Sequence, residues 1–247
     1  LRSMRCVRQE PTNPARRTKT ARNRCHQLGL SMTFDFDRSN DRTGTSSIKW
    51  EYRSEHGTVR HWDETSAHHG DNKILPMWVA DMDFRCPEPV VEALVKRAQH
   101  GVYGYTGRPE SYTDAVVGWM HHRHGWTVDP ATILTVPGIV PTLNMAVRSF
   151  INPGDKVLIQ PPVYHPFYRS ITNNGGEIVT NPLRVRDGHY DMDFEDLERK
   201  ATDPAVKLAI LCSPHNPVGR VWTADELRRF GEICQRNGVI VIADEIH

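Results

Sequence analysis

The 247-residue sequence has no Cys-x-x-C pair, no long apolar run and almost no excess charge of either sign. Its five cysteines, Cys6, Cys25, Cys86, Cys212 and Cys234, form an odd set. That argues against a disulfide framework and against a structural zinc site, and makes a reducing cytoplasm the expected location. No stretch approaches the roughly 20 apolar residues that cross a bilayer. The first residues also lack the apolar segment of a secretion signal. No internal repeat is apparent. Histidines cluster at His68-His69 and at His121-His122-Arg123-His124. The first pair lies in a polar loop and the second group closes a helical stretch, so solvated histidines are expected and no metal site.

What charge there is lies unevenly. The net charge of +1 hides eight Lys/Arg within residues 1–30 against one acid, Glu10, leaving 23 basic and 29 acidic residues elsewhere. A basic tail is open to nucleic-acid, membrane or import readings. Pro11 and Pro14 interrupt any amphipathic helix there, so residues 1–32 are expected to be a disordered extension with Met32 as the natural start. Neither nucleic acid nor membrane is then an expected partner. Because the chain opens on Leu1, it is expected to be a fragment.

From residue 86 onward helical and strand signals alternate. Helices are predicted from Pro89 to before Gly101, over 110–124, from the Pro137-Gly138 turn to about Ser149, over Pro166–Asn173 and over Phe194–Ala201. A last helix is predicted over Ala224–Asn237, with Thr223 as N-cap and Glu226 completing a capping box. Short apolar strands are predicted at Ile133–Val136, Lys156–Gln160, Glu177–Thr180, Lys207–Cys212 and Val239–Ala243. This pattern predicts an α/β fold, a mostly parallel sheet covered by helices on both faces. In such sheets ligands sit beyond the carboxyl ends of the strands, and the informative motifs fall there.

Asp244 closes a strand whose preceding residues, Ile240 to Ala243, are all apolar. A carboxylate there is costly without a cationic partner, and a protonated ring nitrogen would serve; a strand-end cap is the ordinary alternative. Asn216, at the end of the preceding strand, can donate its amide to a phenolate-like oxygen, although Asn-Pro is also a common turn dipeptide. Pro137-Gly138-Ile139-Val140 opens a helix whose free N–H groups can hold a phosphate. Tyr164, after Pro161-Pro162, can stack on a planar ring or cover the core.

In order and spacing these pieces resemble pyridoxal-phosphate enzymes of the aspartate aminotransferase fold type, over roughly residues 33–247. Within that superfamily four segments resemble the cystathionine β-lyase (C–S lyase) branch of the MalY and PatB kind. They are Met77-Trp78-Val79-Ala80-Asp81-Met82-Asp83-Phe84, Gly101-Val102-Tyr103-Gly104-Tyr105, Leu211 to Pro217, and Asp244-Glu245-Ile246-His247.

The resemblance implies a fold type I large domain, incomplete here, over 86–247, preceded by a small-domain segment over 33–85. It implies pyridoxal 5'-phosphate as cofactor, with Asp244 on the pyridine nitrogen and Asn216 on the phenolic oxygen. Tyr164 would stack on the ring, the backbone of Ile139 and Val140 would meet the phosphate, and His247 would lie nearby. Tyr105 would reach the phosphate in a neighbouring subunit, implying a homodimer with shared sites. The implied reaction takes a small amino-acid substrate with sulfur on its β-carbon to a thiol, ammonia and pyruvate. An aminotransferase is the alternative within the same apparatus.

The seven lysines are Lys19, Lys49, Lys73, Lys96, Lys156, Lys200 and Lys207, and none follows Asp-Glu-Ile-His, where the family's covalent lysine belongs. No catalytic residue is therefore assigned, and the chain as given is expected to be inactive. A partial lyase sequence is the favoured reading; a catalytically dead remnant with a binding or dimerising role is the other.

Overall fold

The computed structural model describes residues 35–55, 58–61 and 76–247. The basic tail, Met32, Cys6, Cys25 and His68-His69 lie outside the described residues. The chain divides into two compact units, Leu1–Gly107 and Arg108–His247. The sequence reading placed a boundary after residue 85 instead.

In the first unit, a short helix α1 (Ile48–Glu51) leads into a hairpin, β1 (Tyr52–Glu55) antiparallel to β2 (Thr58–His61). The Tyr52 and His61 rings face across this pair at 5.0 Å, edge to face. Helix α2 (Glu88–His100) begins with Pro89 in its first turn and ends at Gly101, whose φ of 71° is left-handed. The acids of the Asp-Met-Asp segment are held by this unit's own cations. Asp83 accepts from Lys49 Nζ at 2.7 Å, Trp50 Nε1 at 2.8 Å and Arg42 Nη1 at 2.9 Å, and these donors, Lys49 foremost, keep its carboxyl below the usual carboxylate range. Asp81 takes the other arm of Arg42 at 2.8 Å.

The second unit opens with α3 (Glu110–His124), a 3-10 turn at Pro130–Thr132 and α4 (Ile139–Phe150). Four parallel strands follow: β3 (Lys156–Ile159), β4 (Glu177–Thr180), β7 (Val206–Cys212) and β8 (Ile240–Asp244), in spatial order β4-β3-β7-β8. Between them come α5 (Pro166–Thr172), a small hairpin β5 (Arg184–Arg186) and β6 (His189–Asp191), α6 (Phe194–Ala201) and α7 (Ala224–Arg236). The hairpin was not predicted; its turn residues Asp187 and Gly188 both take positive φ, 50° and 78°. The predicted strand at 133–136 does not form, and these residues carry neither helix nor ladder. Its apolar content resembled a strand, but a strand also needs a neighbour to pair with, which local composition cannot supply.

Period-two alternation along the strands builds the two halves of the core. Val157 and Ile159 of β3, with Leu208, Ile210 and Cys212 of β7, pack on one face with Leu143 and Val147 of α4 and Phe167 and Ile171 of α5. Leu158, Ala209 and Leu211 point the other way, onto Leu197 and Ala201 of α6 and Phe230, Ile233 and Cys234 of α7. Helices therefore cover both faces, as the alternation of elements predicted.

Helix α7 carries the predicted capping box. Thr223 Oγ1 accepts from the Glu226 N–H at 3.2 Å, and Glu226 Oε2 accepts from the Thr223 N–H at 2.8 Å. Thr223→Ala is expected to destabilise the protein by about 1 kcal/mol by leaving the Glu226 N–H to water, read as a lower denaturant midpoint at unchanged slope.

Candidate functional site

Strand order decides where a ligand can sit. The chain leaves β3 for β4 on one side, while β7 and β8 lie on the other. The connection after β3 passes through α5 on one face, and that after β7 passes through α7 on the opposite face. The connections after β3 and β7 thus leave on opposite faces, which makes the carboxyl ends of these strands the topological switch point, where a ligand crevice is expected.

Each wall of that crevice carries a predicted residue. The loop after β3 runs Gln160-Pro161-Pro162-Val163-Tyr164. Tyr164 is half-buried against the α4/α5 core, its ring edge-to-face with Phe167 at 6.0 Å. The loop after β7 runs Ser213-Pro214-His215-Asn216-Pro217, with Asn216 half-buried. Both loops contain cis peptides, at Pro161-Pro162, Ser213-Pro214 and Asn216-Pro217.

Asp244 stands at the end of β8 in register with Cys212, and its carbonyl accepts from the Ser213 N–H at 3.0 Å. The residue is 7% exposed, yet its carboxylate Oδ1 accepts only the Ile246 N–H, at 3.2 Å. Among the described residues it has no cationic partner. A buried carboxylate in that condition is either costly or awaiting a positive charge. His247, three residues on, is exposed.

Helix α4 runs back toward the start of β3 through the turn at 152–155, so its N-terminus faces the carboxyl edge of the sheet. It packs on β7 and β8. Gly138 precedes it at φ 151°, a conformation that side chains disfavour. The N–H groups of Ile139 and Val140 begin the helix and find no acceptor among the described residues. Thr142 Oγ1 is turned instead to the Gly138 carbonyl, at 2.6 Å. Free donors with the helix dipole behind them suit an anion such as a phosphate.

The second unit therefore brings Ile139, Val140, Tyr164, Asn216 and Asp244 to one edge, with His247 at its margin. Tyr105 belongs to the first unit and is fully exposed. Its segment is held by Arg97, which donates to the Val102 and Tyr103 carbonyls at 3.0 and 3.1 Å and lies over the Tyr103 ring.

Sequence reasoning passed over two residues of the same loop. Cys212 Sγ accepts the Asn216 N–H at 3.4 Å and donates to the Pro214 carbonyl at 3.5 Å, shaping the turn that carries Asn216. Burial raises the Cys212 thiol's pKa, and the neighbouring Asp244 charge adds to this against the Asn216 bond. His215 is 1% exposed, so the polar run Ser-Pro-His-Asn-Pro hides an inward-facing imidazole. A buried polar side chain between two prolines was the available signal. Cys234, in the opposite core, is pushed by burial to about 12. Cys86 alone among the described cysteines is exposed. A thiol reagent is expected to label Cys86 quickly and Cys212 and Cys234 only on unfolding, which peptide mapping would read. Burial also ties Cys234 to pH: stability is lost as pH rises from the thiol's ordinary 9.0 toward about 12, because only the unfolded thiol ionises in that window.

The family model for aminotransferase class I and II matches residues 72–247. Cystathionine beta-lyase PatB of Bacillus subtilis is 50% identical over 213 residues, covering 86% of this chain and 52% of PatB. Protein MalY of Escherichia coli is 33% identical over 215 residues, covering 87% of this chain and 52% of MalY. Among solved structures, cystalysin from Treponema denticola, which contains a pyridoxal 5'-phosphate cofactor, superposes with a TM-score of 0.75 at 37% identity. That match covers 87% of this chain and 52% of cystalysin. A PLP-bound C–S lyase from Staphylococcus hominis superposes at 0.74 with 33% identity, covering 89% and 53%. The chain spans about half the length of the curated relatives it matches. With a matching family model over most of its length and a relative 50% identical over 86% of it, the chain belongs to the aminotransferase class I and II family.

Proposed function

We propose that the complete protein is a pyridoxal 5'-phosphate-dependent carbon–sulfur β-lyase, cleaving S-substituted cysteines such as cystathionine to a thiol, ammonia and pyruvate. The observation that carries this reading is Asp244, a buried carboxylate with one amide for company, in register with the strand end that leads to Asn216. The donor set fits the cofactor. Asp244 offers the anion a protonated ring nitrogen needs, Asn216 a donor for the phenolic oxygen, and Ile139 and Val140 two free amides for the phosphate. Tyr164 offers an aromatic face, and His247 borders the same edge.

Bound there, the cofactor supplies an electron sink for charge developing on the substrate's α-carbon. The work of this chain is to tune and position it. Asp244 keeps the proton on the ring nitrogen, which maintains the sink. Asn216 fixes the ring's rotation, the α4 N-terminus fixes its phosphate, and Tyr164 screens one face from water. Covalent attachment and α-proton removal fall to no residue of this chain. Tyr105 is assigned to the phosphate site of a neighbouring subunit, within a cytoplasmic homodimer whose sites are shared. Residues 86–247 form the cofactor domain and 33–85 the start of the smaller one.

The relatives favour lyase chemistry over amino-group transfer, since PatB is named for cystathionine β-lysis and the Staphylococcus hominis structure for C–S lysis. The test is to supply the complete protein with cystathionine and follow pyruvate and free thiol, beside amino-group transfer to a keto acid. Pyruvate with thiol is the expected outcome. Transfer without pyruvate would overturn the reading.

A further inference from the structure

The loops that carry Tyr164 and Asn216 come from strands separated by some fifty residues of chain, yet one side chain joins them. His215 Nε2 lies 3.0 Å from the Pro162 carbonyl. A carbonyl only accepts, so Nε2 carries the hydrogen. The ring is otherwise enclosed. Trp222 lies edge-to-face against it at 5.5 Å and donates its own Nε1–H to the Cys212 carbonyl at 2.9 Å. The backbone of His215 is tied as well: its N–H donates to the Arg220 carbonyl at 2.7 Å, and its carbonyl accepts from the Gly219 N–H at 2.8 Å. Nδ1 is buried without a partner, so no acceptor draws the ring's one proton away from Nε2. Burial also lowers the imidazole's pKa, against the nearby carbonyls of Pro162, Cys212 and Gln160.

We propose that His215 is a positioning residue, whose Nε2–H bond to the Pro162 carbonyl sets the separation of the two loops and hence the spacing between Tyr164 and Asn216. This rests on the cofactor site proposed above. The neighbouring connections do not duplicate the link. Cys212 bonds only within its own loop, and Gln160 donates to Asn181 Oδ1 at 2.9 Å, away from the β7 loop. Without His215, the Pro162 carbonyl loses its donor, and Tyr164 is left to its own side of the site, its packing on the α4/α5 cluster and the Phe167 N–H bond to its carbonyl.

Two substitutions of similar polarity separate this role from bulk packing. His215→Gln can place an amide N–H near the Nε2 position, whereas His215→Asn ends near Nδ1 and falls short of Pro162. In the complete protein, His215→Asn is expected to weaken pyridoxal phosphate binding about tenfold and to change the circular dichroism band of the bound cofactor. His215→Gln is expected to stay within about threefold of the parent with the parent's band. Equal behaviour of the two variants, whether both bind normally or both bind poorly, overturns the proposal. Nitrogen NMR of the unsubstituted protein gives a check that needs no variant to fold: an Nδ1–H tautomer of His215 would also overturn it. Asp244→Ala keeps the two claims apart. If that variant binds cofactor normally, the function reading itself has failed; if only the His215 variants do so, the positioning role alone has failed.

Discussion

Asp244→Ala in the complete protein is expected to weaken pyridoxal phosphate binding and slow turnover by a hundredfold or more, while leaving the apo-protein as stable as before or slightly more so. The two signs come from one fact. In the structure the carboxylate is buried and receives a single amide bond. Without cofactor, then, a single amide is all that the carboxylate holds, and removing it takes little from the fold. With cofactor, it is half of a buried ion pair, and removing one member of such a pair typically costs about 3–5 kcal/mol, or roughly two to four decades in an equilibrium or a rate. Asp244→Asn keeps the shape without the charge and should follow the alanine variant on binding. Cofactor titration by absorbance, beside thermal melting of apo-protein, separates the terms. Unchanged binding, or a large loss of apo-stability, would show instead that Asp244 is a structural cap.

Phe167→Ala is expected to destabilise the protein by about 3–5 kcal/mol, the range for deleting a buried aromatic ring. Phe167 is fully buried on α5, within the same cluster as Val157, Ile159, Leu208 and Ile210 from two strands. A cavity there cannot be closed by the backbone, because strands on one side and helix α4 on the other are already packed. A loss of this size is a large share of the 5–15 kcal/mol that holds a typical domain. The effect should also reach the site, since Phe167 is the edge partner of Tyr164. Phe167→Leu retains most of the volume and should cost much less. Denaturant unfolding of both variants checks the difference; equal midpoints for Ala and parent would mean that this cluster does not hold the sheet together.

The elements most legible in the sequence were those whose cause is local. The capping box at Thr223 and Glu226 is a four-residue pattern satisfied by adjacent backbone, and it forms as read. The turn at Pro137-Gly138 marked the start of α4 for the same reason. The strands β3 and β7 were legible because burial on both faces leaves an almost continuous apolar run, and β8 carries the same kind of run although part of it is exposed here. The segment at 133–136 had the same apolar character but forms no ladder, which depends on a neighbouring strand and not on composition. The hairpin of β5 and β6 was missed because its strands are three residues long and carry a single apolar or aromatic residue each, Val185 and Tyr190.

By itself the sequence determined the chemistry on offer: a strand-end aspartate, an asparagine between prolines, a helix start with free amides and a tyrosine after a strand. Those residue types, in that order, restrict what can be bound. Only the tertiary structure decided that strand order reverses between β3 and β7, so that loops far apart in the chain face each other across one crevice. It also decided that Asp244 is buried with no cation beside it among the described residues, and that His215, which reads as a polar loop residue, points inward to join the two walls. Sequence order fixes what each strand end carries, but which ends become neighbours depends on hydrogen bonds and packing between distant segments, and these exist only once the sheet has assembled.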